Sequence, residues 1–182
     1  MLWDTHMHTH FSGDSNADPA AMARSAIEKN LAGICITDHL DYDYPDEPDL
    51  FTIDFPQYEK GIRQLQADFS DSLNINFGIE LGLQPHLAKK HHEILQEMDF
   101  DFVIGSSHVV HGLDPYYPAY YEGRSEHAAY LEYFESILEN IAAFHEFDVY
   151  GHIDYVVRYG PEKNKNYSYD KYKNVIDEIL RQ

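Results

Sequence analysis

Five short apolar or alternating runs punctuate the sequence, and each is followed by a stretch whose apolar residues recur with the period of a helix. That order constrains the fold more than any other feature. A chain that lays strand beside strand in the same direction needs a crossover of a dozen or more residues, usually a helix. The runs are Leu2 to His6, Gly33 to Thr37, Leu73 to Leu81, Phe100 to Gly105 and Asp148 to Ile153. Gly33 to Thr37 reads as a parallel strand buried on both faces, whereas Leu73, Ile75, Phe77, Ile79 and Leu81 alternate and put Glu80 on the opposite face. Asp18 and Pro19 form the N-cap and first position of a helix with the stripe Met22, Ala23, Ala26 and Ile27. Further stripes are Tyr58, Ile62, Leu65 and Phe69; Leu87, His91, Ile94 and Met98, starting near Pro85; Tyr130, Phe134, Ile137, Ile141 and Phe144; and a last helix from Tyr169 to Leu180. No repeat or low-complexity tract interrupts the 182 residues, so they predict one α/β domain over 1–182 with parallel strands.

In such folds, functional side chains gather where strands end at their carboxyl edge. Here every run ends in residues of metal-ligand type. The first delivers His6 and His8, with Asp14 in the turn that follows; the others deliver His39, Glu80, His108 and His152. Imidazoles mixed with carboxylates suit zinc, manganese or iron, while calcium and magnesium prefer all-oxygen shells. Seven ligands exceed the needs of one ion, so two or three divalent ions are expected, with Glu80 bridging them because a carboxylate offers one oxygen to each. His86, His91, His92, His127 and His145 fall on helices or at their starts and read as ordinary packing or surface residues. His10 and His111 lie beside the strand ends and remain candidates for orienting a ligand or moving a proton.

With 13 Lys and Arg against 32 Asp and Glu, the formal net charge of −19 repels nucleic acid and anionic membranes. Bound cations would be an economical source of local positive potential in so acidic a chain. No apolar stretch approaches the roughly 18 residues of a membrane span. MLWDTHMHTH lacks the features of a secretory signal, which predicts a cytoplasmic protein. The single cysteine, Cys35, sits in an apolar run and reads as core. Two connections are long: residues 40–54, acidic, read as a solvated loop, and residues 109–124, rich in tyrosine and including Tyr117, read either as surface or as a substrate wall.

The motifs DTHMHTHFSGDS, ITDH, GIELG, GSSH and GHID, in this order, resemble those of the polymerase and histidinol phosphatase (PHP) family, and most closely its histidinol-phosphatase branch. The resemblance runs from Asp4 to about Tyr159. It implies a distorted (β/α)7 barrel and hydrolysis of a phosphate ester, with His6, His8 and Glu80 on one ion, Glu80, His108 and His152 on a second, and Asp14 with His39 on a third. The family closes with two more strands, the last bearing a Ser-Asp-Ala-His type motif. This sequence has no histidine after His152, so it reads as about five of the seven units, with open sheet edges to be covered either by a longer gene product or by a second copy of the chain.

The implied reaction is in-line attack by a metal-activated water on a small phosphorylated metabolite, by resemblance histidinol phosphate in histidine biosynthesis. Arg158 would fork onto the phosphate, with Arg124 a weaker candidate; His111 and Tyr117 would complete substrate binding, and Asp154 would orient a ligand histidine. The alternatives are a phosphoesterase for another small ester and a truncated, non-catalytic metal-binding member.

Overall fold

A computed structural model describes residues 2–182; Met1, the first residue of the expected domain, lies outside them. The chain runs β1 (Trp3–Met7), α1 (Pro19–Glu28), β2 (Gly33–Ile36), β3 (His39–Leu40), α2 (Phe55–Phe69), β4 (Asn74–Gly82), α3 (Ala88–Glu97), β5 (Phe102–Ser106), α4 (Glu126–Ala143), β6 (Val149–Tyr150), α5 (Tyr155–Tyr159) and α6 (Tyr169–Ile179). Every strand pairing is parallel, and the order is β1-β2-β4-β5-β6, with β3 also on β4. Sequential strands linked by helices give a sheet that curls as part of a barrel, the α/β class expected.

The short β3 continues β2 after a break at Thr37 and Asp38. Ile36 lies opposite Phe77, and after the break His39 lies opposite Glu80. The break is buried, so its polar groups need partners. The Tyr58 hydroxyl, on α2, donates to Gly78 O at 2.8 Å and receives the Asp38 N–H at 3.4 Å. The Asp38 carboxylate accepts from the Thr9 N–H at 2.5 Å and the Thr9 hydroxyl at 2.8 Å, which fastens the turn after β1 to the end of β2.

One apolar cluster fills the space between β2, β4 and the first three helices, through Ala23, Ile34, Tyr58, Ile62, Phe77 and Ile94; Cys35 is buried beside it. A second joins α4 to α5 and α6 through Tyr130, Phe134, Ile137, Val156, Tyr172 and Ile176. Asp18 and Pro19 begin α1 as expected, the aspartate accepting from the N–H groups of Ala20 and Ala21.

Several expectations need correction. The last strand is not Asp148 to Ile153 but two residues long, because β5, its sole neighbour among the described residues, ends at Ser106; the backbone then turns into α5, which the sequence reading missed. The first and third expected strands each begin and end one residue late, and the fourth runs Phe102–Ser106 instead of Phe100 to Gly105. Residues 40–54 are not simply a solvated loop: Leu40, Asp41 and Tyr44 are buried, and Tyr44 packs edge-on against Phe51 with ring centroids 4.8 Å apart. The density of acidic residues concealed the apolar contact they flank.

His91 is fully buried on α3 between Tyr42 and Phe144, with neither ring nitrogen hydrogen-bonded. Burial pushes its pKa down from 6.5 to about 4. The folded state therefore refuses a proton that the unfolded chain accepts, and stability is lost as pH falls from 6.5 toward 4, by roughly 3 kcal/mol from this residue. His91→Leu is expected to flatten that part of the stability–pH curve by about one proton, measured by urea unfolding; an unchanged slope would refute the account.

Candidate metal centre

Glu80 occupies the middle of the sheet, flanked by His39 of β3 and Ile104 of β5, and is completely buried. Its two carboxylate oxygens face different partners. Oε2 lies 3.0 Å from His6 Nε2, 3.5 Å from His8 Nε2 and 3.3 Å from His39 Nδ1. Oε1 lies 3.0 Å from His152 Nε2 and 3.4 Å from His108 Nε2, and accepts from the Ser106 hydroxyl at 2.6 Å. Asp14 completes the group, its Oδ2 3.7 Å from His39 Nε2. All seven strand-end residues therefore converge on one place.

Parallel register explains the convergence, since neighbouring strands end side by side and present their last side chains to the same edge. Local clamps refine it. His39 N–H donates to Ser12 Oγ at 2.7 Å, and Ser15 Oγ donates to His8 O at 3.1 Å, so the turn that carries Asp14 is tied to both histidines. Small residues leave the room needed: a Cβ at Gly151 would collide with Ser106 Oγ, and one at Gly82 with the Asp41 carboxylate.

Asp41 is the principal residue missed by the sequence reading. It is buried, and its Oδ1 accepts from His108 Nδ1 at 2.6 Å while Oδ2 lies 3.2 Å from His39 Nδ1. The cue was present, a carboxylate two residues past His39, but the acidic run 41–49 hid it. Asp154, expected to orient a ligand histidine, is exposed and makes no such contact; Asp41 does so instead for His108. His111 also stands apart, its backbone left-handed (φ 49°) and its exposed ring held between Glu132 and Glu139 of α4 at 3.0 Å from each. Arg124 pairs with Glu132, and His10 rests on Phe11.

The charge balance in the centre is tight. Burial alone would raise the Glu80 pKa, but the imidazoles of His39 and His108 overcome it and hold the carboxyl well below its usual range. The same attraction acts in reverse on His108, where burial favours the neutral ring but Asp41 and Glu80 raise its pKa well above 6.5. His8 differs: burial, then repulsion from His39, lowers it to about 4. Four sets of donor atoms lie within 4.8 Å of one another: His6, His8 and Glu80; His8, Asp14 and His39; His39, Asp41 and His108; and Glu80, His108 and His152. His8 Nδ1, His39 Nδ1, Asp41 Oδ2, His108 Nε2 and His152 Nδ1 are buried without a well-formed hydrogen bond. Unpaired buried donors and acceptors of this chemistry fit transition-metal ions.

A cavity of about 580 Å³ opens over the centre. Besides the ligand-type residues, Tyr44, Phe51, Tyr116, Tyr117, Tyr155 and Arg158 line it. Asp114 fixes this wall: it accepts from Tyr44 OH at 2.6 Å, Tyr155 OH at 3.0 Å and the Tyr116 N–H at 2.7 Å. Burial, followed by that carboxylate, keeps the Tyr44 phenol protonated far above its usual pKa.

A parallel α/β sheet whose strand ends surround one buried glutamate with histidines defines a protein of the metal-binding, barrel-edge class. This chain belongs to the PHP domain family, whose description matches residues 4–182. It is 33% identical over 179 residues to a histidinol-phosphatase from Lactococcus lactis subsp. lactis, covering 98% of this chain and 66% of that protein. It is 31% identical to a Clostridium acetobutylicum protein named a probable histidinol-phosphatase, covering 100% of this chain and 68% of the relative. The chain thus spans about two thirds of the length of these relatives. The crystal structure of the L. lactis histidinol phosphate phosphatase, complexed with zinc, L-histidinol and phosphate, superposes with a TM-score of 0.94 over 99% of this chain and 68% of that one, at 33% identity. A Listeria monocytogenes structure shares the fold, with a TM-score of 0.80 at 20% identity over 98% of this chain and 79% of that one.

Because Asp114 joins both long loops to α5, Asp114→Ala is expected to cost about 2–4 kcal/mol of stability and to expose residues 41–54 to proteolysis. Urea unfolding and limited digestion measure both; wild-type behaviour in the two would contradict the assigned role.

Proposed function

We propose that this chain carries the metal ligands of a metal-dependent phosphomonoesterase acting on histidinol phosphate in cytoplasmic histidine biosynthesis. The observation that carries the reading is Glu80, whose two oxygens serve separate histidine sets. In this reading His6, His8 and Glu80 hold one ion, Glu80, His108 and His152 a second, and Asp14 and His39 a third, drawn from zinc, manganese or iron. Such ions, when bound, supply a nucleophilic water at neutral pH and offset charge on the phosphoryl oxygens. The zinc, L-histidinol and phosphate complex of the L. lactis relative supports it.

The chain's own groups account for the rest. Arg158 lines the cavity and is exposed, its guanidinium carbon 5.9 Å from the Tyr159 ring centroid, so the guanidinium can fork onto phosphate oxygens. Tyr117 and the Asp114-braced tyrosines offer flat apolar walls to a planar leaving group. The net charge of −19 favours a leaving group that carries a cation. No described helix is long and apolar enough to cross a membrane. Strands β1 and β6 are the sheet's edges among the described residues, and the same proposal has a second copy associating there.

Elemental analysis after reconstitution with zinc, manganese and iron in turn is expected to find at least two ions per chain. Fewer than one would overturn the reading. Glu80→Gln should remove phosphatase activity by at least about 100-fold, while His92→Ala, on the far exposed pair with Glu146, leaves it unchanged. Arg158→Ala should weaken inhibition by inorganic phosphate without altering metal content; undiminished inhibition would remove Arg158 from the site.

A further inference from the structure

We infer that Asp41 is a positioning residue that couples two of the ligand sets, one oxygen holding His108 and the other poised to hold His39, so that ions in the two sets bind cooperatively. The inference rests on the metal reading above and goes beyond it, since it concerns how occupancy of one set alters another.

The geometry divides the work between the two oxygens. His108 Nδ1 donates to Asp41 Oδ1 at 2.6 Å, which turns His108 Nε2 toward Glu80 and the His152 side of the centre. A histidine fixed through one nitrogen presents the other as a ligand in a defined direction. His39 is held less firmly. Its Nδ1 lies between Asp41 Oδ2 at 3.2 Å and Glu80 Oε2 at 3.3 Å, in line with neither, while its Nε2 faces Asp14. Glu80 and Asp41 thus compete for one His39 N–H.

Cations on Glu80 end the competition. With the Glu80 oxygens engaged, Asp41 Oδ2 is the remaining acceptor for His39 Nδ1, and the ring is then oriented with Nε2 toward Asp14 and His8. Filling the Glu80 sets therefore prepares the Asp14 set, and by linkage the reverse also holds. Gly82 makes the arrangement possible, because any side chain there would displace the Asp41 carboxylate. Asp41 is buried at 2% exposure and has no lysine or arginine in ion-pair range among the described residues, so the two histidines are its partners.

The test is a zinc titration of the chelator-stripped full chain against a chromophoric competitor, reading stoichiometry and stepwise affinity, with urea unfolding as a check on folding. Wild type should bind at least two ions, and Asp14→Ala should weaken the ions that remain. Asp41→Asn should keep the number of sites in the wild-type background, weaken binding about 10–100-fold, and abolish the effect of Asp14→Ala on the remaining ions, as a double-mutant cycle reports. Gly82→Ala, which keeps the carboxylate but denies it room, should reproduce the weakening and serves if Asp41→Asn does not fold. Unchanged affinity in both variants, or an unaltered Asp14 effect in the Asp41→Asn background, would overturn the coupling. Loss of one whole ion at saturation would also overturn it, by making Asp41 a ligand. Failure of the metal reading looks different: wild type itself then binds less than one ion.

Discussion

A carboxylate with no exposure in the centre of a parallel sheet is expensive to bury unless cations surround it, the effective penalty being several kcal/mol per ion. Glu80 meets that condition through the imidazoles of His39 and His108, which hold its carboxyl well below the usual range, and His6, His8 and His152 reach the same carboxylate from other strand ends. The strand order, the break between β2 and β3 and the small residues Gly82 and Gly151 all serve that convergence. Protons and metal ions compete for the same nitrogens, so the raised pKa of His108 is the counterpart of a site built for cations.

Around this core, the turns are fastened by polar groups from distant strands. Asp38 binds the turn after β1, Ser12 holds His39, and Asp114 joins the two long loops to α5. Such bonds fix the directions in which the strand-end side chains point, since hydrogen-bonded partners orient the groups they hold. Edge position explains the weak spot. Among the described residues β6 pairs only with β5, so His152 rides on two residues of strand and a turn into α5.

Much of the centre was legible beforehand because its cues are local. A histidine at the end of an apolar run is visible in a few residues, as His108 after Gly105 and His152 after Gly151 show. Asp154 and His111 misled for the same reason, since adjacency in sequence was taken for proximity in the site. Ser106 stands within the GSSH motif, yet its bond to Glu80 spans 26 positions and leaves no local trace. The acid run after His39 likewise concealed Asp41, whose partner His108 is 67 residues away.

The sequence by itself determined the alternation of strand and helix, the N-cap of α1 and the chemical character of every strand end, because periodicity, capping and side-chain chemistry act within a few residues. Tertiary structure alone decided which nitrogen faces which oxygen, that Asp41 and not Asp154 holds a strand-end histidine, that His111 turns to α4, and that residues 40–54 wall the cavity. Those outcomes depend on the curl of the sheet and on space between residues far apart in the chain, quantities that no short window of sequence contains.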